Sequence, residues 1–253
     1  MTLTTTPFRP PRERAGARSV PPPTPAVPPL QNGDRLTGEE FDRRYETSPP
    51  GFWAELIEGV VYVAPPLFEP GHGSPHSDLG TWLGVYRAAT PGVIASDNSS
   101  VRLDDRNRPQ PDRYLRILES HGGRTYIAPD RFLDGAPDLI AEIAASSVAY
   151  DLHAKLEAYR RNGVREYLVW RTYDVAVDWF ALRGGRFVRL RPGRDGIFRS
   201  RIFPGLCLDS AALLRGDLGT VLRALQNGVA TKEHAAFVEK LRKAAERRAR
   251  GGT

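Results

Sequence analysis

The chain has 253 residues, 40% hydrophobic and 26% charged, with a single cysteine and a formal net charge of +6. No apolar run approaches the ~20 residues of a membrane span, and one cysteine excludes both an intrachain disulfide framework and a CxxC metal site. The basic excess sits at the ends: residues 1–33 carry Arg9, Arg12, Arg14 and Arg18 against Glu13, and residues 232–253 carry seven Lys and Arg against Glu233, Glu239 and Glu246, which leaves residues 34–231 at −1.

A binding role that depends on charge alone would therefore draw on the termini, each of which also reads as a solubilising tail. The start, MTLTTTPFRPPRERAG, lacks the apolar segment of a secretory signal, and a reducing, cytoplasmic setting is the simplest expectation.

Nine of the 22 prolines lie in the first 30 residues. Such a segment lacks backbone donors and core-forming side chains, so residues 1–33 read as a disordered or polyproline basic arm. Order is expected from DRLTGEEFDRRYE, where Thr37 and Glu40 have capping-box spacing and Phe41 and Tyr45 follow at i, i+4. FWAELIEGVVYVAPP reads as a hairpin around Glu58-Gly59. SPHSDLGTWLGVYRAAT puts Leu79, Trp82, Leu83 and Tyr86 at helical spacing and stops before Pro91-Gly92. GVIAS, SSVRL and DRYLRILES read as short strands, and HGGRTYIAPDRFLDG as a polar connection.

PDLIAEIA is the apolar run of a strand buried on both faces. AYDLHAKLEAYRRNG is a helix stopped by Asn162-Gly163. REYLVWR, DVAVDWFAL and GRFVRLR are further strands, followed by a helical segment over 209–226 behind an Asp-Ser cap and an amphipathic tail helix around Phe237, Leu241 and Ala245. The sum is an α+β fold, a mixed sheet flanked by helices, with one domain over residues 34–231 between the arm and a basic helical tail, 232–253. P-loop, Rossmann, zincin and nucleophile-elbow motifs are absent, so nucleotide hydrolysis, dinucleotide redox chemistry, zincin proteolysis and lipase-type hydrolysis have no support.

The informative residue is Glu142, inside an apolar run. On a strand its side chain shares a face with Ile140 and Ala144, and a buried carboxylate costs several kcal/mol unless it is paired or binds a metal. The next helix offers Lys155, on the flank of a buried stripe made by Leu152, Leu156 and Tyr159. A second carboxylate, Asp112, follows Pro111 and opens an extended run. Two carboxylates at adjacent strand ends can hold Mg²⁺ through oxygen ligands, and a nearby lysine can stabilise charge developing on a phosphate. Asp138 is a worse ligand partner, about 13 Å from Glu142 along one strand.

Asp112, DLIAEIA with Glu142, and YDLHAKLEAYRRNGVREYLVW together strongly resemble the Uma-two family of restriction-endonuclease-like proteins, part of the PD-(D/E)XK nuclease superfamily. AELIEGVVYVAPP and a histidine opening the next helix, His76, extend the resemblance, which runs from about residue 37 to 205. It implies a restriction-endonuclease-like core, Mg²⁺-dependent hydrolysis of DNA (with Mn²⁺ as a substitute), and a site of Asp112, Glu142 and Lys155 with Asp112 and Glu142 on the metal. Glu55 matches a further acidic position, and His76 is a further candidate. The superfamily's usual lysine, two residues after the Glu, falls here at Ala144; the family pattern moves that lysine to the helix, which suits Lys155. DNA is the expected partner, no membrane is expected, and a homodimer stays open.

Other readings stand beside these. Glu142 and Lys155 can be a structural ion pair, Asp112 a turn residue, Glu55 a hairpin carboxylate, and Asp151 with Lys155 a helix salt bridge. His72 reads as a cap or surface residue, Trp170 and Trp179 as core aromatics, and Cys207 as buried and inert. A nuclease fold without catalysis, holding DNA or a protein partner, is the main rival function. A glycosidase using two carboxylates is weaker, because a lysine accompanies the pair.

Overall fold

The computed structural model describes residues 27–64 and 71–251; of the arm expected over 1–33, residues 1–26 lie outside the described residues. The chain forms α1 (Gly38–Tyr45), a hairpin of β1 (Ala54–Ile57) and β2 (Val60–Val63), α2 (Gly73–Ala89), β3 (Val93–Ser96), β4 (Val101–Arg102), β5 (Arg113–Ile117), β6 (Tyr126–Ile127), β7 (Leu133–Asp134) and β8 (Leu139–Ala144). A helical crossover follows: α3 (Val148–Tyr150), a π-helical turn (Asp151–Lys155) and α4 (Leu156–Arg161). The remainder is β9 (Glu166–Arg171), β10 (Ala176–Arg183), β11 (Arg186–Arg189), β12 (Ile197–Arg199), β13 (Cys207–Asp209), α5 (Ser210–Leu214), α6 (Leu218–Val229) and α7 (Lys232–Gly251).

Six strands make the central sheet in the order β11-β10-β9-β8-β5-β3. Within it β8 and β9 pair parallel and the other neighbours antiparallel. A parallel pair cannot be joined by a tight turn, and the helical crossover makes the connection.

All six residues of β8 are buried, as its apolar run requires. Alternation sends Leu139, Ala141 and Ile143 to one face, where Trp82, Tyr86, Leu225, Phe237 and Leu241 belong to the same cluster. Ile140 and Ala144 go to the other face, with Tyr159, Tyr167 and Val169. Glu142 lies between them on this second face. The β1–β2 hairpin, α1 and Leu30 form a smaller apolar cluster. Glu58 and Gly59 both have positive φ, +55° and +74°, as a two-residue hairpin turn of this hand demands.

Several boundaries differ from the sequence reading. The polar connection after β5 contains β6 and β7, which pair with β4 in a small separate sheet. The helical segment over 209–226 is two helices: the chain turns at Gly216 (φ +74°) and Asp217 caps α6 by accepting from the Thr220 amide. β12 and β13 lie in a stretch with no alternation long enough to read. The packed unit also exceeds residues 34–231, because Leu30, His234, Phe237 and Leu241 are buried against it. Among the described residues no helix is long and apolar enough to cross a membrane.

Candidate active site

Asp112 immediately precedes β5, and β5 pairs with β8 in the register Arg113 opposite Ala141. That register brings Asp112 level with Glu142: the Asp112 amide donates to Glu142 Oε2 at 3.2 Å. The Ile143 amide donates to Asp112 Oδ2 at 2.7 Å. The two carboxylates are thus tied together through backbone at the end of adjacent strands.

Lys155 reaches the same point from the crossover. Its Nζ lies 3.0 Å from Glu142 Oε1, 3.0 Å from Glu55 Oε2 and 3.8 Å from Asp151 Oδ1. Lys155 is itself buried, beside a stripe in which Leu152 and Leu156 pack against the cluster that contains Tyr159. Asp151, Lys155, Ala158 and Tyr159 are the buried positions of the crossover, while Leu152 and Leu156 are half-buried. The cause is twofold: the π turn shifts the helical phase, and the ion pairs hold Lys155 inward. Tyr159 donates its hydroxyl to Glu142 Oε1 at 2.8 Å. Glu55 is held from below by the hairpin and accepts from the Gln110 amide at 2.7 Å and from the Tyr150 hydroxyl at 3.3 Å.

The histidines complete the surround. His72 Nε2 is 3.0 Å from Asp112 Oδ1, so His72 contacts the site and makes no side-chain cap bond on α2. His76 lies one turn on, its ring stacked against His72 with centroids 5.5 Å apart. Its Nε2 faces the Asp112 carbonyl oxygen at 3.1 Å, not the carboxylate. Asp138 stands apart: it caps the Ile117 amide at 2.9 Å and meets Arg165 at 3.2 Å.

Electrostatics follow from the count. Glu55, Asp112, Glu142 and Asp151 face one lysine. Burial pushes the Glu142 carboxyl well above its usual range; Lys155 opposes this, and Asp112, Asp151 and Glu55 add to it. Burial likewise raises Asp151, to about 6. Burial also works against charge on Lys155, but Glu142 and Glu55 outweigh it and hold the ammonium firmly protonated. For Asp112, burial is outweighed by the His72 hydrogen bond and charge, by Lys155 and by the Ile143 amide, so its carboxyl lies below the usual value. Burial and then Arg113 depress His76.

A surplus of buried carboxylate over cation, built from hard oxygen donors, fits a divalent ion of the Mg²⁺ or Mn²⁺ type. Among the described residues no three His, Cys, Asp or Glu side chains are grouped to hold one. Mg²⁺ asks for less, since one or two carboxylates suffice when waters and phosphate oxygens complete its octahedron. Asp112 and Glu142 are the pair the fold offers.

Sequence reasoning did not place His72 or Tyr159 here. The i, i+4 spacing of His72 to His76 and of Lys155 to Tyr159 was the available signal, because such pairs share a helical face.

The sequence profile of Uma2, described as "Putative restriction endonuclease", matches residues 39–211. The chain belongs to the Uma2 family. That span contains Glu55, His72, His76, Asp112, Glu142, Asp151, Lys155 and Tyr159, so the whole cluster is within the family domain. Among solved structures, a "putative nuclease belonging to DUF820" from Anabaena variabilis superposes with a TM-score of 0.53 at 14% identity, covering 74% of this chain and 99% of that one. At that identity the likeness establishes the fold alone, the α+β fold of that structure. No curated protein matches the chain.

Proposed function

We propose that this Uma2 protein is a Mg²⁺-dependent endonuclease that hydrolyses DNA phosphodiester bonds at a site of Asp112, Glu142 and Lys155. The observation that supports it is the convergence of these residues, from a strand lead, a strand and a helical crossover, on Glu142, whose carboxylate accepts from the Asp112 amide at 3.2 Å and from Lys155 Nζ at 3.0 Å. Asp112 and Glu142 would hold the ion, which when bound supplies Lewis acidity and an activated water. Lys155 carries a fixed positive charge beside the carboxylates, suited to the negative charge that grows on a phosphate in the transition state. His72, Tyr159 and the Ile143 amide fix the orientation of the two carboxylates, as outer partners of ligands do.

The test is cleavage of plasmid and of single-stranded DNA with Mg²⁺ or Mn²⁺, by wild type and Glu142→Gln, alongside thermal melts with and without ion. Cleavage and an ion-dependent rise in Tm, both lost in Glu142→Gln, are expected. A folded wild type that neither cuts DNA nor gains stability from either ion would refute the assignment.

One observation favours a second reading, a nuclease fold that holds DNA without cutting it. All four carboxylate oxygens of Asp112 and Glu142 already have protein hydrogen-bond partners. DNA binding without cleavage or ion response would select it.

A further inference from the structure

A cavity of about 360 Å³ opens between β3, β5 and the turn that leads into β7, lined among others by Ser96, Ser100, Tyr114, Arg116, Arg131 and Phe132. It lies on the same face of the sheet as Glu142. Tyr114 pairs with Ile140 across β5 and β8, and Ile140, Glu142 and Ala144 share that face. Along β5 the alternation then puts Asp112, Tyr114 and Arg116 on one side. At ~3.3 Å per residue, Arg116 is about 13 Å from Asp112, far enough to meet a phosphate other than the one at the carboxylates.

The chemistry of the cavity is that of an anion site. Arg116 and Arg131 line it, and neither guanidinium pairs with another described residue. Arg131 is held at φ +71° by a turn in which its amide donates to the Ala128 carbonyl at 2.8 Å, a conformation uncommon for any residue but glycine. The acid in the wall, Asp130, is engaged by Arg102 at 2.5 Å and does not cancel the two free cations. Serine hydroxyls line the opposite side. Ser100 Oγ accepts from Gln110 Nε2 at 3.0 Å, and the Gln110 amide binds Glu55, so the cavity wall is continuous with the carboxylate cluster.

We infer that this cavity is a phosphate subsite that grips the DNA strand at a neighbouring phosphate, about 13 Å from the Asp112–Glu142 cluster, with Arg116 and Arg131 as its cations. The inference rests on the nuclease reading for the identity of the strand, and its test does not need cleavage. Binding of a fluorescein-labelled DNA duplex by the full chain is followed by anisotropy across a salt series, with divalent ion left out. The double variant Arg116→Gln/Arg131→Gln should bind more weakly, and the slope of log affinity against log salt should shrink by about 1 for each arginine that meets a phosphate. Its Tm should match wild type, since neither side chain is used inside the fold. Arg116→Lys/Arg131→Lys, which keeps the charge, should restore most of the slope.

An unchanged slope in the glutamine variant, or a wild type that does not bind DNA, overturns the subsite. Competition by inorganic phosphate at the cavity without any loss of DNA slope also overturns it, by assigning the cations to a free phosphate. Cleavage by the same proteins separates the two claims. A wild type that cuts while the variant keeps the full slope sinks the subsite alone. A wild type that fails to cut while the variant loses slope leaves the subsite standing and sinks catalysis.

Discussion

Lys155 is where the ion-pair and catalytic roles can be prised apart. Its ammonium lies within 3.0 Å of both Glu142 and Glu55 and is 5% exposed. Lys155→Met keeps the stem and deletes the charge, leaving several buried carboxylates without it. Breaking a buried pair in this way costs about 3–5 kcal/mol, a large part of the 5–15 kcal/mol that a domain of this kind typically has. At ~2–4 °C per kcal/mol for a domain of this size, Tm should fall by about 6–20 °C. The deficit should be larger at pH 8 than at pH 5. Asp151 titrates near 6 with burial as the leading cause, and a folded-state pKa above the unfolded value means that stability is present at low pH and is lost as pH rises through the folded pKa. Removing the lysine raises such carboxyls further and strengthens the trend.

Saturating Mg²⁺ should narrow the gap if Asp112 and Glu142 take the ion, because a cation then returns to the cluster. DNA cleavage should fall by ~10² or more even where the variant is fully folded, the scale of losing one electrostatic group. Thermal melts at two pH values and a cleavage assay read all of this. A variant melting within a degree or two of wild type would refute the burial argument, and a folded variant that cuts at the wild-type rate would refute the catalytic one.

Tyr159→Phe removes the hydroxyl that donates to Glu142 at 2.8 Å while filling the same volume, and should cost about 1.5–3 kcal/mol in a urea melt; an unchanged midpoint would count against that bond. Glu166 is fully buried away from the site, and burial raises it to about 7 despite hydrogen bonds from the Arg201 amide, Ser200, the Ile202 amide and Trp179. Stability should therefore fall by up to about 3 kcal/mol between pH 4 and 8 on its account. Glu166→Gln should flatten that stretch of the curve whatever it does to stability at a fixed pH. Removing residues 232–253 strips Phe237 and Leu241 from the core, and at ~1.5–3 kcal/mol for each buried side chain should lower stability by about 3–6 kcal/mol. Equal urea midpoints for the truncated and full chains would show that α7 only rests on the domain.

How much was readable in the sequence depended on whether one short segment carried its own signal. β8 was legible because a strand buried on both faces has to be apolar throughout, and a lone Glu142 within it calls for a partner. The hairpin at Glu58-Gly59 and the caps at Thr37 and Asp209 were legible because turn and cap chemistry is local. The broken helix at Gly216 could have been read from the glycine, but apolar residues on both sides kept an apparent period. The small sheet of β4, β6 and β7 was not legible, since strands of two residues have no alternation to detect. Within the site, Asp112, Glu142 and Lys155 stood out as charges in apolar surroundings. His72 and Tyr159 did not, because a histidine before a helix and a tyrosine in its buried stripe suit ordinary roles equally well, and only the pairing of β5 with β8 decides between them.

The π turn at Asp151–Lys155 bears on how such proteins are compared. A π turn holds one residue more than the α turn it replaces, so it amounts to a single-residue insertion stored inside a helix. Glu142 and Lys155 are thirteen positions apart in this chain. A relative whose crossover is plain α-helix would carry its lysine one position closer, since each residue added or removed rotates a helix by about 100°. An alignment that fixes the interval between glutamate and lysine would then set Ala154 against the relative's lysine and score a matching site as a degenerate one. The interval in this lineage should be matched with a one-residue gap allowed within 151–155, where the fold has room to absorb it.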